Sequence, residues 1–262
     1  MNAEYRLWEF WMPKNCSTCN LSCYTFYGGR IMNEQERVEI LAKAKDFFKN
    51  NIVENHIKNT KKLKKVNEFT INPFLVNYLA NFAFGNTSKE NIAKTLVYPR
   101  ILGTSINTSF GTQIQTFCCE VLSGLASTTS GIDIEFVDAI DGRKKYCQIK
   151  SGPNTINHAD ITSIKDDFKA IKNLARTNRL PNFNPNIDCI VGVLYGTEND
   201  LSQFYKNINE EYPVIIGQEF WYRLTGDENF YNELINTFVS IADEVDSTDL
   251  INDVIQELAE QL

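Results

Sequence analysis

An α/β fold preceded by a helical region is predicted by three features of the sequence. Apolar residues recur at helical spacing from about 33 to 66 and again near the C-terminus, two central segments alternate apolar and polar residues, and an Asp141-Gly142 pair lies between those segments. Val38, Ile40, Leu41, Ala44, Phe47 and Phe48 give the first helical stretch its apolar face, and Lys58, Lys61, Lys62, Lys64 and Lys65 give it a basic end. That end reads either as a phosphate contact or as a solvated helix terminus. Asn72-Pro73 marks a break, and 74–84 and 89–96 follow as two short helices. The Ser, Thr and Asn of 103–110 predict a loop before a helix from about 111 to 123.

Strands then dominate. In 132–137, Ile132, Ile134 and Phe136 alternate with Asp133 and Glu135; 145–151 alternates with the same period, and Asp141-Gly142 sets the two antiparallel through a tight turn. A helix over 159–178 precedes an apolar strand at 189–194, a short strand at 214–216 and helices at 219–224 and from 229 onward.

Composition narrows the class. A chain of 262 residues, 43% hydrophobic and 23% charged, is long enough for one large domain or a domain with a helical appendage. No run approaches the roughly 18 apolar residues of a membrane span, and the opening residues lack a secretory pattern, so a cytoplasmic protein without a membrane partner is expected. Seven cysteines without a secretion signal predict reduced thiols. The net charge of -7 is unevenly spread: 226–262 holds ten acids and no Lys or Arg, which leaves the preceding residues at +3. That acidic stretch reads as a solvated helical face or as a DNA mimic, and its Leu250, Ile251, Val254, Ile255 and Leu258 sit at helical spacing.

The residues that carry chemistry flank the hairpin. Asp133 precedes it, while Gln148 and Lys150 follow it on one face of their strand, so all three can converge. Phosphodiester hydrolysis needs a carboxylate on a hard cation, a further oxygen ligand and a positive group beside the attacking water. Asp133, the Gln148 amide oxygen and the Ile149 carbonyl are the expected ligands of a magnesium ion, and Lys150 the group that orients water and offsets developing charge. His56 and His158 lack partners at metal-ligand spacing, and no Gly-rich phosphate loop or dinucleotide fingerprint occurs.

Four blocks carry a resemblance. GIDIEF (131–136) and QIKSGPNTIN (148–157), with VYPRILGTSINTSFG (97–111) and PVIIGQEFWYRLTG (213–226), resemble a type II restriction endonuclease of the PD-(D/E)xK superfamily, within the group that cuts GGNCC sites. The resemblance covers about 68–262. It implies an α/β/α sandwich around a central mixed sheet, a homodimer, magnesium, double-stranded DNA as substrate, and a DNA methyltransferase encoded nearby. Gln148 stands where the superfamily's second acid is usual. A neutral amide holds magnesium more weakly, so another acid is expected to compensate: Glu135 first, Glu120 second. An upstream helix of related enzymes offers a Glu to the site, and Gln115 matches that position.

Two regions are candidates for DNA contact. Lys165, Lys169, Lys172, Arg176 and Arg179 are spaced four, three, four and three, a stripe about 80° wide beside the apolar stripe of Ile164, Phe168, Ile171 and Ala175. A solvated face is the alternative. The other region is the 104–109 segment with Arg100 before it, including Ser105 and Asn107.

The expected organisation is an extension over 1–31, a helical region over 32–98 and a nuclease core with the acidic tail over 99–262. Cys16, Cys19 and Cys23 lack a nearby fourth ligand for a closed metal site. Gly28-Gly29-Arg30-Ile31 before Met32 can be encoded as a ribosome-binding site, and the composition changes there, so a native start at Met32 is expected.

Overall fold

A computed structural model describes residues 33–262 apart from 122–124, 243 and 246, with the side chains of Gln115 and Cys119 also outside that description. The Cys16, Cys19 and Cys23 spacing, the 1–31 extension and the start at Met32 lie outside the described residues.

The chain enters through α1 (Glu34–Phe47), whose first turn is closed by Asn33: its Oδ1 accepts from the Glu36 N–H while Glu36 Oε2 accepts from the Asn33 N–H. A π-helical turn, Phe48–Val53, leads into α2 (Glu54–Lys62). After α3 (Val76–Phe84) comes α4 (Lys89–Pro99), which passes through a second π turn (Arg100–Thr104) into α5 (Ser105–Val121).

The loop expected at 103–110 is therefore helix. Its polar residues are poor helix formers chiefly because their side chains offer the backbone other partners. Here Thr112 Oγ1 donates back to the Thr108 carbonyl, and buried Ile101, Ile114, Phe117 and Val121 bind this run to the core. Tertiary burial outweighs the local preference. Pro99, which lacks an N–H, is absorbed at the start of the π turn instead of ending the helix. A boundary at 98/99 falls within this helical run.

The sheet follows. Strand β1 (Ile134–Val137) lies antiparallel to β2 (Lys144–Lys150), with Ile134 opposite Cys147. Helix α6 (His158–Thr177) and the single turn α7 (Pro185–Asp188) lead to β3 (Cys189–Val193), parallel to β2; α8 (Gln203–Asn209) leads to β4 (Val214–Ile216), parallel to β3. The order is β1-β2-β3-β4, a mixed sheet. Three helices complete the chain: α9 (Gly217–Thr225), α10 (Phe230–Ala242) and α11 (Thr248–Gln261).

Helices cover both faces. Ile164, Phe168 and Ile171 of α6 and Tyr205 and Ile208 of α8 pack on Val191, Val193 and Val214. On the other face, Ile40 and Ala44 of α1, Ile114 and Phe117 of α5 and Phe220 and Trp221 of α9 pack on Ile134, Cys147 and Ile190. The neighbours Ile190 and Val191 thus serve opposite cores, as the two-residue period of a strand requires.

A third cluster joins the C-terminal helix to α4 and the end of α2. Val254, Ile255 and Leu258 of α11 are buried against Leu63, Ala93, Val97 and Ile101. The acidic C-terminal helix therefore supplies an apolar face to the N-terminal helices, and its charges lie outside, where Glu257 meets Lys64 at 2.5 Å. Among the described residues no helix is long and apolar enough to cross a membrane.

Candidate active site

The tight β1/β2 hairpin sets Asp133, just before β1, across from the far end of β2. The ladder ends with Ile134 opposite Cys147, and the Asp133 N–H also donates to the Cys147 carbonyl at 3.0 Å, so two residues face one across a bulge. Asp133 is thereby held beside the end of β2, and its Oδ2 accepts from the Ile149 N–H at 2.7 Å. Cys147 and Ile149, two apart on the strand, both turn their backbone polar groups toward β1. The Lys150 carbonyl points the other way and accepts from Leu194 of the β3 side. The Ile149 carbonyl thus opens on the side where the Asp133 carboxylate sits.

Gln148 is buried, and its amide nitrogen donates to the Gly131 carbonyl at 2.7 Å and to Asp167 Oδ2 at 2.8 Å. Its oxygen accepts no hydrogen bond found among the described residues. Asp167 comes from α6 and is half-buried. Burial pushes the Asp133 carboxyl above the usual carboxylate range; the Ile149 N–H and the Lys150 charge pull it down, and the Asp167 charge adds to the rise. Lys150 is half-buried and forms no ion pair among the described residues. Two carboxylates, an amide oxygen, a backbone carbonyl and one ammonium therefore gather at the end of β2.

Gly131 makes the close approach possible. Its φ of +79° suits glycine, and a Cβ there would come within 2.4 Å of Asp167 Oδ1. Gly131→Ala is expected to displace Asp167, costing about 10- to 100-fold in metal affinity as loss of a supporting ligand does. Titration of metal against tryptophan fluorescence checks this; unchanged affinity would remove Asp167 from the site.

The other candidates are dispersed. Glu135, the first-choice compensating acid, is engaged elsewhere: Oε1 accepts from Ser127 at 2.6 Å and Thr129 at 2.9 Å, and Oε2 faces Lys144 at 2.6 Å. These partners hold its carboxyl below the usual range although burial opposes them. Glu120 is exposed on α5. Gln115 lies on α5 with its side chain outside the described residues; one turn earlier, Gly111 approaches Ser151, and a Cβ on it would sit 3.4 Å from Ser151 Oγ.

The basic stripe of α6 lies on the opposite flank of that helix from Asp167. At 100° per residue, Lys165 and Asp167 project about 160° apart, on opposite sides of the buried Ile164, Phe168 and Ile171. Lys165 pairs with Glu211 near α8 and Lys169 with Asp166, whereas Lys172 and Arg176 are exposed. Arg100, Ser105 and Asn107 lie on the helical run through the second π turn. Asp167 escaped the sequence reading, since an Asp beside the apolar stripe of an amphipathic helix looks like any solvated flank residue. Its one local sign is the glycine at 131, which leaves room for it.

The comparison with known families decides what this arrangement belongs to. The family model of type II restriction endonuclease EcoO109I matches residues 41–246. The chain belongs to this family. No curated protein matches it significantly. The match runs from α1 through α10 and includes every strand, so the mixed sheet between helices is the restriction-endonuclease-like core. A member of the EcoO109I family is a sequence-specific DNA endonuclease.

Proposed function

We propose that the chain hydrolyses double-stranded DNA within a short palindrome of the GGNCC type, using magnesium, as the restriction partner of a DNA methyltransferase. The observation that carries this reading is the meeting of Asp133, Gln148 and Lys150 beside the Ile149 carbonyl at the end of β2.

The donor chemistry fits a hard cation. All available ligand atoms are oxygens: the carboxylates of Asp133 and Asp167, the Gln148 amide and the Ile149 carbonyl. Among the described residues no three of His, Cys, Asp or Glu gather to hold a metal, so two neutral oxygens and water would complete the shell, as magnesium tolerates. When bound, the ion supplies Lewis-acid polarisation of the scissile phosphate and acidifies a water. Asp133, its charge disfavoured by burial, gains a counter-charge. Gln148, anchored through its nitrogen to Gly131 and Asp167, would turn its oxygen to the ion. Lys150 orients the attacking water and offsets charge on the phosphorane.

A chain with one such cluster cuts both strands of a palindrome as a two-fold homodimer. Phe74, Tyr78 and Phe82, 90%, 63% and 76% exposed on and beside α3, support that assembly, since a second copy would shield them from water. A plasmid digest with magnesium tests the function. Discrete fragments with GGNCC at their ends are expected; an uncut plasmid with every divalent metal tried would overturn the proposal, and smears would remove its sequence specificity.

A further inference from the structure

A second group of cations lies where the end of α2 meets the π turn at Arg100–Thr104. A cavity of about 300 Å³ opens there, with Lys62 and Arg100 in its wall together with the hydroxyl residues Thr104, Ser105, Thr108 and Ser109. Lys62 donates to Asn59 Oδ1 at 3.0 Å, and the Arg100 guanidinium sits 5.9 Å from the centre of the Phe69 ring, which braces it. Neither pairs with an acid among the described residues. Exposed Lys58, Lys61 and Lys65 stand around the same helix end.

Two details favour a negatively charged ligand at this wall. The buried Ser105 Oγ has no hydrogen-bond partner, and the carbonyl one turn before it, that of Ile101, already accepts from His56 Nε2 at 2.8 Å. The wall is also rich in donors, with Glu68 its one acid among the described residues. Two cations beside four hydroxyls match the oxygens of a phosphate.

The cavity is close to the cutting centre. Ser109 in its wall is two residues from Gly111, the α5 residue that meets Ser151 just after Lys150. At a rise of about 1.5 Å per residue, Ser105 to Gly111 spans about 9 Å.

We propose that this cavity clamps a backbone phosphate of the bound duplex on the flank of the scissile one, with Arg100 and Lys62 as positioning residues and Glu68 limiting the grip. This rests on the chain acting on DNA. Substitutions at the cations and at the acid then act in opposite directions, which a purely structural role for the pocket does not produce.

The test is anisotropy titration of the full chain with a 30-base-pair duplex in EDTA, at several salt concentrations. Arg100→Gln is expected to weaken binding about tenfold on every sequence and to lower the slope of log affinity against log salt by about 0.9. Glu68→Gln is expected to strengthen binding severalfold and needs no intact Arg100, so it remains informative if Arg100→Gln fails to fold. Wild-type binding unchanged by both variants, or a loss in Arg100→Gln without a change in salt slope, overturns the clamp while leaving the nuclease reading intact. A wild-type chain that neither binds nor cuts DNA overturns that reading itself. Saturable thermal stabilisation by inorganic phosphate, combined with DNA binding indifferent to Arg100, would assign the cavity to a free anion and also overturn the clamp.

Discussion

Lys150→Ala and Asp133→Asn are each expected to slow single-turnover cleavage by about 10³-fold, the rate equivalent of several kcal/mol of lost charge stabilisation. Asp167→Asn is expected to lose less, about 10- to 100-fold, since it supports the site through Gln148. Glu135→Gln is expected to retain nearly the full rate, because its carboxylate serves Ser127, Thr129 and Lys144. A Glu135→Gln enzyme as dead as Lys150→Ala would show that the wrong acid has been placed at the centre.

Asp133→Asn has a second expected effect, on stability. Burial raises the folded-state pKa of this carboxyl above its unfolded value of about 3.9. Such a group adds stability that is fully present below the unfolded pKa and is lost as pH rises through the folded one, so at pH 7 the ionised form is a net cost. The Asn amide oxygen can still accept from the Ile149 N–H. Metal-free Asp133→Asn is therefore expected to melt above wild type at pH 7, with the gap closing as pH falls through the folded pKa toward 4. Calorimetry in EDTA at both pH values measures this, and a variant that melts lower at pH 7 contradicts the account. Magnesium would remove the cost in wild type, so the site gives up stability for function.

The second large effect is at the opposite end of the hairpin. Lys145 and Asp138 are almost fully buried; Lys145 Nζ reaches Asp141 at 2.5 Å and Asp138 at 3.7 Å, and Asp138 accepts from Arg223 at 2.9 Å. Asp138→Ala takes one of two acidic partners from both Lys145 and Arg223 and strips the Ile140 N–H of its acceptor, and is expected to cost about 3–5 kcal/mol. At about 2–4 °C per kcal/mol for a chain of this size, the melting temperature falls by roughly 6–20 °C. Lys145→Met combined with Asp138→Asn is expected to cost less than Asp138→Ala alone, because it removes charges that would otherwise stay unpaired. Thermal unfolding of the three proteins decides, and equal losses would mean that packing, not charge, holds this end. Cleavage at 25 °C is expected to be unchanged in whatever fraction remains folded, since the network lies away from Asp133 and Lys150.

The elements legible in the sequence are those whose signal is local. Asp141-Gly142 between two alternating segments specified the β1/β2 hairpin, and with it the juxtaposition of Asp133, Gln148 and Lys150. The spacing of Ile164, Phe168, Ile171 and Ala175 specified which side of α6 faces the sheet. The segment at 103–110 was misread because its Ser, Thr and Asn favour turns only until buried neighbours such as Ile101 and Ile114 settle the matter. Only the docking of α6 shows that Lys165 turns toward Glu211 and Asp167 toward Gln148.

By itself, then, the sequence determined the two hairpin strands, the strands at 189–194 and 214–216, the apolar face of α6 and the three side chains that meet beside the hairpin, since side-chain period and turn chemistry act over a few residues. Tertiary structure alone decided that Asp167 meets Gln148, that Glu135 is held by Ser127, Thr129 and Lys144, that α11 closes the N-terminal helices and that Lys62 and Arg100 line one cavity. Those are contacts between separate elements, and the angle and offset at which two elements dock depend on the packing of the whole core.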